Sequence, residues 1–295
     1  MEWSISTVAD NKLQQVGYTE LYTLMQLALA DLAIYGVEFL DNGARFYIDC
    51  GSHVEYATPE AISSIEATAC EIAGERVVSG IRTAQLGIQG LDIIDNLSIN
   101  KRVVDDDRNT WGYHENYSAH GLLSISEEDL ALLGLHLATR NILFGSGVLL
   151  ANGSYAISQK SCDIYDNFSY NTTQGKPVVN LRREDLADPT ISKRVHVTSG
   201  DPNMSPWAMR MKFGTTSLII ALIEHGIKPY SMQFRDQLWR ITREISNDLT
   251  VSKKYGLHNL TRTSAIEMQQ WLLKNIKKLE KEINFTPEDY WTIEQ

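Results

Sequence analysis

Between Lys12 and Tyr35 apolar residues recur at mixed three- and four-residue intervals with no proline, a spacing that predicts a helix ending near Gly36. The period then changes. Phe39 to Asp49 (FLDNGARFYID) carries the turn pair Asn42-Gly43 between two short β-prone runs and predicts a hairpin. Alternation along its second strand places Arg45, Tyr47 and Asp49 on one face. A cation, a phenol and a carboxylate on a single strand face suit the floor of a polar cleft better than a core. Further on, Ala61 to Val77 and Glu127 to Asn141 read as amphipathic helices, and residues 145–160 (GSGVLLANGSYAISQK) as strand, turn at Asn152-Gly153, and strand. PVVNLRR (177–183) and RVHVTSG (194–200) are further strands. Ser205 should cap a helix that starts at Pro206, runs to about His225 and ends at Gly226. The last long helix spans Ser264 to about Glu282. Helices and hairpins alternate without the strand-helix rhythm of a doubly wound sheet, which predicts an α+β fold with a largely antiparallel sheet.

Composition narrows the function classes. With 295 residues, 43% hydrophobic and 22% charged, the chain can bury a full core and a cleft. No window approaches the roughly 18 apolar residues of a membrane span, and MEWSISTVAD lacks the order of a signal peptide, so no membrane association and a cytoplasmic location are expected. A net charge of -10 argues against general nucleic-acid binding. Lys274, Lys277, Lys278 and Lys281 interleave with Leu and Ile as the solvated face of a helix. Cys50, Cys70 and Cys162 show no CxxC spacing and read as buried free thiols.

Three polar segments stand out: ARFYIDCGSHVEYATPE (44–60), NTWGYHENY (109–117), and the run from Asn180 to Ser205. There is no GxxxxGK[ST], GxGxxG or HExxH pattern, so a bound nucleotide must be held by side-chain cations and metal-bridged carboxylates. Arg182 and Arg194 are candidate phosphate clamps, and His196 and Asn203 candidate cleft contacts. Each has a plainer reading. The two arginines could pair with Glu184 and Asp188, the histidines His53, His114 and His196 could be ordinary polar residues, and Asp49 could close the turn that begins at Gly51.

Residues 42–60 closely resemble the strand and loop of the Pup-ligase family, approximately NGARLYxDxGSHPEYATPE, departing chiefly at Phe46 and Val54. WGYHENY is similar to that family's YGCHENY, AISQK to its LSQR, and HVTSGDPNMS to its HVIVGDxNMS. KFGTTSLIIALIEHG and TSAIEMQQ also resemble family segments, so the likeness covers nearly the whole chain. In the loop from Asn180 to Asp188 the family's NTRDEPHAD is only partly kept. The depupylase relatives carry a long insertion and a DHAHPEY-like motif. Here 46 positions separate Glu2 from Asp49, and the motif reads Asp49-Cys-Gly-Ser-His-Val-Glu55.

The resemblance implies a glutamine-synthetase-like catalytic core and a carboxylate-amine ligase that uses ATP and Mg2+. Such an enzyme joins the C-terminal glutamate γ-carboxylate of the ubiquitin-like modifier Pup to lysines of target proteins through an acyl phosphate. The alternatives are a depupylase or deamidase on the same scaffold, or a non-catalytic Pup-binding homologue. The resemblance makes Asp49 the proton acceptor, Tyr47 and Glu55 metal ligands, and Arg45 and Thr58 ATP contacts. Glu2 corresponds to the second glutamate of the family's first strand and is a candidate cleft contact, like His196 and Asn203. Residues 1–295 are expected to form a single catalytic domain that lacks the first metal-binding strand residue and the family's small C-terminal domain.

Overall fold

A computed structural model of the chain describes residues 1–9, 12–28, 38–49, 53–86, 97–104, 110–120, 127–171, 175–182, 188, 190–227 and 233–295. These residues form two compact units, Met1–Gly112 and Tyr113–Gln295.

The first unit contains β1 (Glu2–Ala9), β2 (Lys12–Gln15), α1 (Tyr18–Ala28), β3 (Glu38–Phe39), β4 (Arg45–Asp49), β5 (His53–Ala57), α2 (Ser64–Leu86) and β6 (Ser98–Asn100). Its sheet runs β2-β1-β5-β4-β3, with β6 also paired to β1. The hairpin read from the sequence is present: β3 pairs antiparallel with β4, and Gly43 holds a φ of +84° that a side chain would strain. Asn42 Oδ1 closes the turn by accepting from the Ala44 N–H at 3.0 Å. Behind the sheet, Trp3, Phe46, Val54 and Tyr56 pack with Leu21, Leu24 and Met25 of α1 and with Val78 and Ile81 of α2. This apolar layer fixes which face of β4 and β5 is left for polar groups. One expectation is corrected here. Lys12–Gln15 is a strand laid along Ser6–Ala9, and the helix begins only at Tyr18, after Gly17. Pairing along a strand edge overrides the local helical spacing, and a glycine is a poor helix interior residue. Residues 29–36 of the expected helix lie outside the described residues, as do Cys50 and Gly51.

The second unit adds β7 (Glu115–His120), α3 (Glu127–Thr139), α4 (Asn141–Phe144), β8 (Val148–Leu149), β9 (Tyr155–Ala156), β10 (Asp166–Ser169), β11 (Pro177–Asn180), β12 (Ser192–Val197), α5 (Pro206–Glu224), α6 (Leu238–Asn247), β13 (Tyr255–Gly256), β14 (Arg262–Thr263), α7 (Ala265–Lys278) and α8 (Pro287–Glu294). Its main sheet is ordered β10-β11-β12-β7, antiparallel except for the β10/β11 pair. Val179, Val195, Val197 and Ala119 on one sheet face pack against Leu132, Leu133 and Leu137 of α3, Leu218 and Leu222 of α5, and Leu272 and Ile276 of α7. The expected helix signals hold at α5, where the Ser205 side chain accepts from the Ala208 N–H, and at α7, where Ser264 and Glu267 form a capping box. Both units are thus α+β, with largely antiparallel sheets. Cys70 and Cys162 are free thiols, half-buried rather than buried. No described helix is long and apolar enough to cross a membrane.

Candidate active site

The polar face of the first unit's sheet is built row by row. Across the strands, Tyr47 of β4 stands opposite Glu55 of β5, and Glu55 stands opposite Glu2 of β1. In the next row Asp49 faces His53, and at the other end Arg45 faces Ala57, just before the exposed Thr58. Because opposed residues in antiparallel strands share a face, this register alone gathers three acids, a phenol, an imidazole and a guanidinium. One carboxylate oxygen from each of Glu2, Asp49 and Glu55 lies within 4.8 Å of the others. The Glu2 backbone N–H donates to the Gly112 carbonyl at 2.9 Å, and His53 Nδ1 is 3.2 Å from Glu2 Oε2.

The electrostatics of this floor are unbalanced. Burial raises the Glu55 carboxyl above the usual carboxylate range, and the charges of Glu2 and Asp49 push it further in that direction. The Met1 ammonium and a hydrogen bond from Tyr47 oppose the rise without cancelling it. Burial, with the adjacent Glu55 charge, holds the Tyr47 phenol well above its ordinary value, so it is a neutral hydrogen-bond donor to Glu55. The Arg45 guanidinium lies 4.1 Å from the centre of the Tyr47 ring, and its Nε is buried without a hydrogen-bond partner among the described residues. Crowded carboxylates are destabilised until a cation joins them, and an all-oxygen donor set suits a hard divalent ion. The residues therefore fit magnesium, with Glu2, Asp49 and Glu55 as the charged donors and the neutral Tyr47 beside them.

In the second unit, Arg194 and His196 of β12 stand opposite Ser118 and Asn116 of β7, on the face that points away from the apolar core. Arg194 Nε donates to Asn116 Oδ1 at 2.7 Å. His196 is 2% exposed, meets His114 edge-on with ring centroids 4.9 Å apart, and has no hydrogen-bond partner at either ring nitrogen among the described residues. Burial, then Arg194 and Arg182, lowers its pKa to about 4, so the imidazole is neutral at neutral pH. Arg182 is exposed just past β11, where its backbone N–H donates to Asn180 Oδ1 at 2.8 Å. Arg182, Arg194 and His196 are thus brought together. Asn203 is engaged elsewhere, its amide donating to the Phe144 carbonyl at 2.9 Å and holding the end of α4. Of the plainer pairing partners for the arginines, Asp188 accepts from the backbone N–H and hydroxyl of Thr190, and Glu184 lies outside the described residues.

Several family-like motifs prove to be scaffold. Glu115 of HENY forms a two-pronged pair with Arg140, at 2.6 and 2.9 Å, and accepts from Tyr117 at 2.6 Å. Asp201 of SGDPN accepts from the backbone N–H groups of Ser146, Gln159 and Lys160 and from the hydroxyls of Ser146 and Ser158. Lys212 of KFGTT donates to Tyr113 Oη and to the Asp201 carbonyl, each at 2.7 Å. A Cβ at Gly200 would collide with the Glu115 carboxylate. Sequence reading missed two members of the floor's arrangement: the place of Glu2 beside Glu55, which needs the non-local β1/β5 pairing, and the contact of His53 with Glu2. The second had a local signal, since His53 and Glu55 share a strand face by alternation.

The fold and this floor define an α+β protein with a cation-suited carboxylate cluster beside an arginine whose Nε seeks an acceptor. The family of Pup-ligase proteins matches residues 8–295, and the chain belongs to that family. It is 35% identical over 246 residues to the Pup–protein ligase of Kineococcus radiotolerans, covering 81% of this chain and 53% of that protein. Against the Pup–protein ligase of Acidimicrobium ferrooxidans it is 31% identical, covering 85% and 56%. Among solved structures, it superposes on the ligase PafA in its crystal structure with the prokaryotic ubiquitin-like protein Pup. There the TM-score is 0.85 and the identity 26%, over 99% of this chain and 61% of that one. PafA in complex with ADP gives a TM-score of 0.76 at 27% identity, over 95% and 62%. The chain spans about half the length of the curated relatives it matches.

Proposed function

We propose that this chain carries the ATP-dependent joining of the C-terminal glutamate of Pup to lysine side chains of target proteins. The observation that supports it most directly is the floor itself, where Glu2, Asp49 and Glu55 converge to within 4.8 Å on the strands whose sequence resembles the family's most specific run. The relatives named as Pup–protein ligases and the ADP complex of PafA support the same reading.

The chemistry has two needs. In the first step a γ-carboxylate oxygen of Pup attacks the γ-phosphorus of ATP, and the bond to the bridging oxygen breaks so that ADP leaves with the electron pair. Two anions must approach, so guanidinium groups are needed: Arg45 is assigned to phosphate oxygens in the first unit, and Arg182 and Arg194 are the candidate phosphate contacts of the second, taken by itself. Glu2, Asp49 and Glu55, with Tyr47 adjacent, would hold magnesium, which would supply charge neutralisation there. Thr58, exposed just past the end of β5 and one residue beyond the row of Arg45, is assigned to the nucleotide on the family resemblance.

In the second step the lysine nitrogen attacks the acyl carbon, the C–N bond forms, the C–O bond to phosphate breaks and inorganic phosphate leaves. A lysine with a reference pKa of about 10.4 is protonated at neutral pH, so a base must take its proton before attack. Asp49 is that base in this reading. A carboxylate is weakly basic in solution, so it acts through position and through desolvation of the ammonium. The neutral His196, with one donor and one acceptor nitrogen, suits a polar contact to a bound anion.

The test is to mix the chain with Pup ending in glutamate, a lysine-bearing protein, Mg2+ and ATP. A conjugate of added mass with matching ADP release is the expected result. Release of Pup from a preformed conjugate, or Pup binding with neither reaction, would overturn the ligase assignment.

A further inference from the structure

The proposed reaction leaves the imidazole of His53 in the first unit without a role. His53 sits between the carboxylate floor and an indole. Its Nδ1 is 3.2 Å from Glu2 Oε2, with the two side chains only 15% and 11% exposed. A carboxylate can only accept, so this separation is favourable when the hydrogen is on Nδ1. The imidazole lies with its centroid 5.0 Å from the ring of the buried Trp111, tilted by 37°, which limits rotation about the side chain. The next residue, Gly112, accepts the Glu2 backbone N–H at 2.9 Å. One segment, Trp111-Gly112, therefore fixes the backbone of Glu2 and the ring that holds its carboxylate.

We propose that His53 is a positioning residue that orients the Glu2 carboxylate, by donation from Nδ1, toward the oxygens of Asp49 and Glu55 as a ligand for a divalent cation. The inference rests on the cation reading of the floor given under Proposed function. Glu2 comes from a strand outside the β4/β5 hairpin that carries Asp49 and Glu55, so the hairpin register does not by itself aim its carboxylate. Unguided, a glutamate side chain samples many rotamers, and ordering it at the moment of binding weakens affinity. Partners that orient a metal ligand from outside the coordination shell change affinity by roughly 10- to 100-fold.

The experiment titrates Mn2+ into the chain by calorimetry, with Mg2+ as competitor, and compares His53→Asn, His53→Gln and His53→Phe. An asparagine amide nitrogen reaches the place of Nδ1, whereas a glutamine amide reaches that of Nε2. Phenylalanine keeps the ring against Trp111 without a donor. The expected result is a loss of roughly 10- to 100-fold in Mn2+ affinity for the Gln and Phe variants and retention within about threefold for Asn. Unchanged affinity in His53→Phe, or equal losses in all three variants, would overturn the role of His53 while leaving the cation site standing. No Mg2+-competed binding by the unsubstituted chain would remove the site and this inference together. Thermal melts without metal show whether a variant is folded, and the Asn variant carries the test if the Phe variant is not.

Discussion

Glu115 in the second unit and Glu55 in the first are both strand carboxylates drawn out of water, yet their surroundings are opposite. Burial alone would raise the pKa of Glu115, but Arg140, with help from Lys212, outweighs it and leaves the carboxyl below its usual range. Glu55 is surrounded by like charges, and its carboxyl is pushed up. Asp201 resembles Glu115 in accepting several hydrogen bonds, whereas Glu2 and Asp49 resemble Glu55 in having no arginine or lysine ion-pair partner among the described residues. A saturated acid holds its neighbours in place and has nothing left to offer a ligand. An acid crowded by other acids is a structural liability that a ligand cation relieves. The contrast separates the family-like motifs into those that build the second unit and those available for chemistry.

The largest effect should come from breaking the saturated side. Glu115→Ala leaves the buried Arg140 guanidinium uncompensated and is expected to destabilise the chain by about 3–5 kcal/mol in urea unfolding. Glu55→Gln, at the crowded site, removes one of three like charges and should leave stability unchanged or raise it in the absence of metal. A large loss from Glu55→Gln would mean that the floor is scaffold too.

Next in size is the effect on the reaction. Asp49→Asn should lower the rate of lysine transfer by on the order of 10²–10⁴, the usual contribution of a general base, and leave nucleotide binding measured without divalent cation within about threefold. Conjugation at the parent rate would remove Asp49 from the base role and leave it a cation ligand at most.

The pH dependence of stability should run in opposite directions at the two sites. For Glu55 the folded carboxyl binds its proton more tightly than the unfolded one. Its contribution is therefore complete below the unfolded value of about 4.3 and is lost as pH rises toward the folded value. Glu55→Gln should flatten that descent, and Mg2+ should do the same by favouring the ionised form. For His196 the folded pKa of about 4 lies below the unfolded value of about 6.5. Stability is then full above pH 6.5 and falls as pH drops through 4, by on the order of 3 kcal/mol once both states are protonated. His196→Asn should remove that fall. Melting curves from pH 4 to 8 on the two variants check both signs.

Much of this contrast was legible in the sequence, and the part that was not has a physical cause. Period-2 alternation after Asn42-Gly43 put Arg45, Tyr47 and Asp49 on one face, and the capping residues Ser205 and Ser264 marked the starts of α5 and α7, because these signals are local. The strand Lys12–Gln15 was invisible because its partner is β1 and its own spacing is helical. Glu2 could be matched to a family position, but its meeting with Asp49 and Glu55 depends on the register between β1 and β5, which no local pattern encodes. Asp201 and Glu115 sit in motifs as specific as that of Asp49, so motif likeness alone could not tell scaffold from site. Their hydrogen-bond partners do.

The smallest predicted effect tests how firmly the floor is held. Gly43 turns the hairpin at a φ of +84°, and a Cβ added there would meet Pro59 at 3.6 Å, an ordinary contact. Gly43→Ala should therefore cost only the backbone strain of a positive φ, about 1 kcal/mol in urea unfolding. The register of β4 on β5 is set independently by Phe46, Val54 and Tyr56, which are buried on the opposite face, and slipping by one residue would expose all three. Divalent-cation affinity should then stay within about twofold of the parent. A loss of tenfold or more at such a small stability change would show that the turn, rather than the apolar face, aligns the carboxylates.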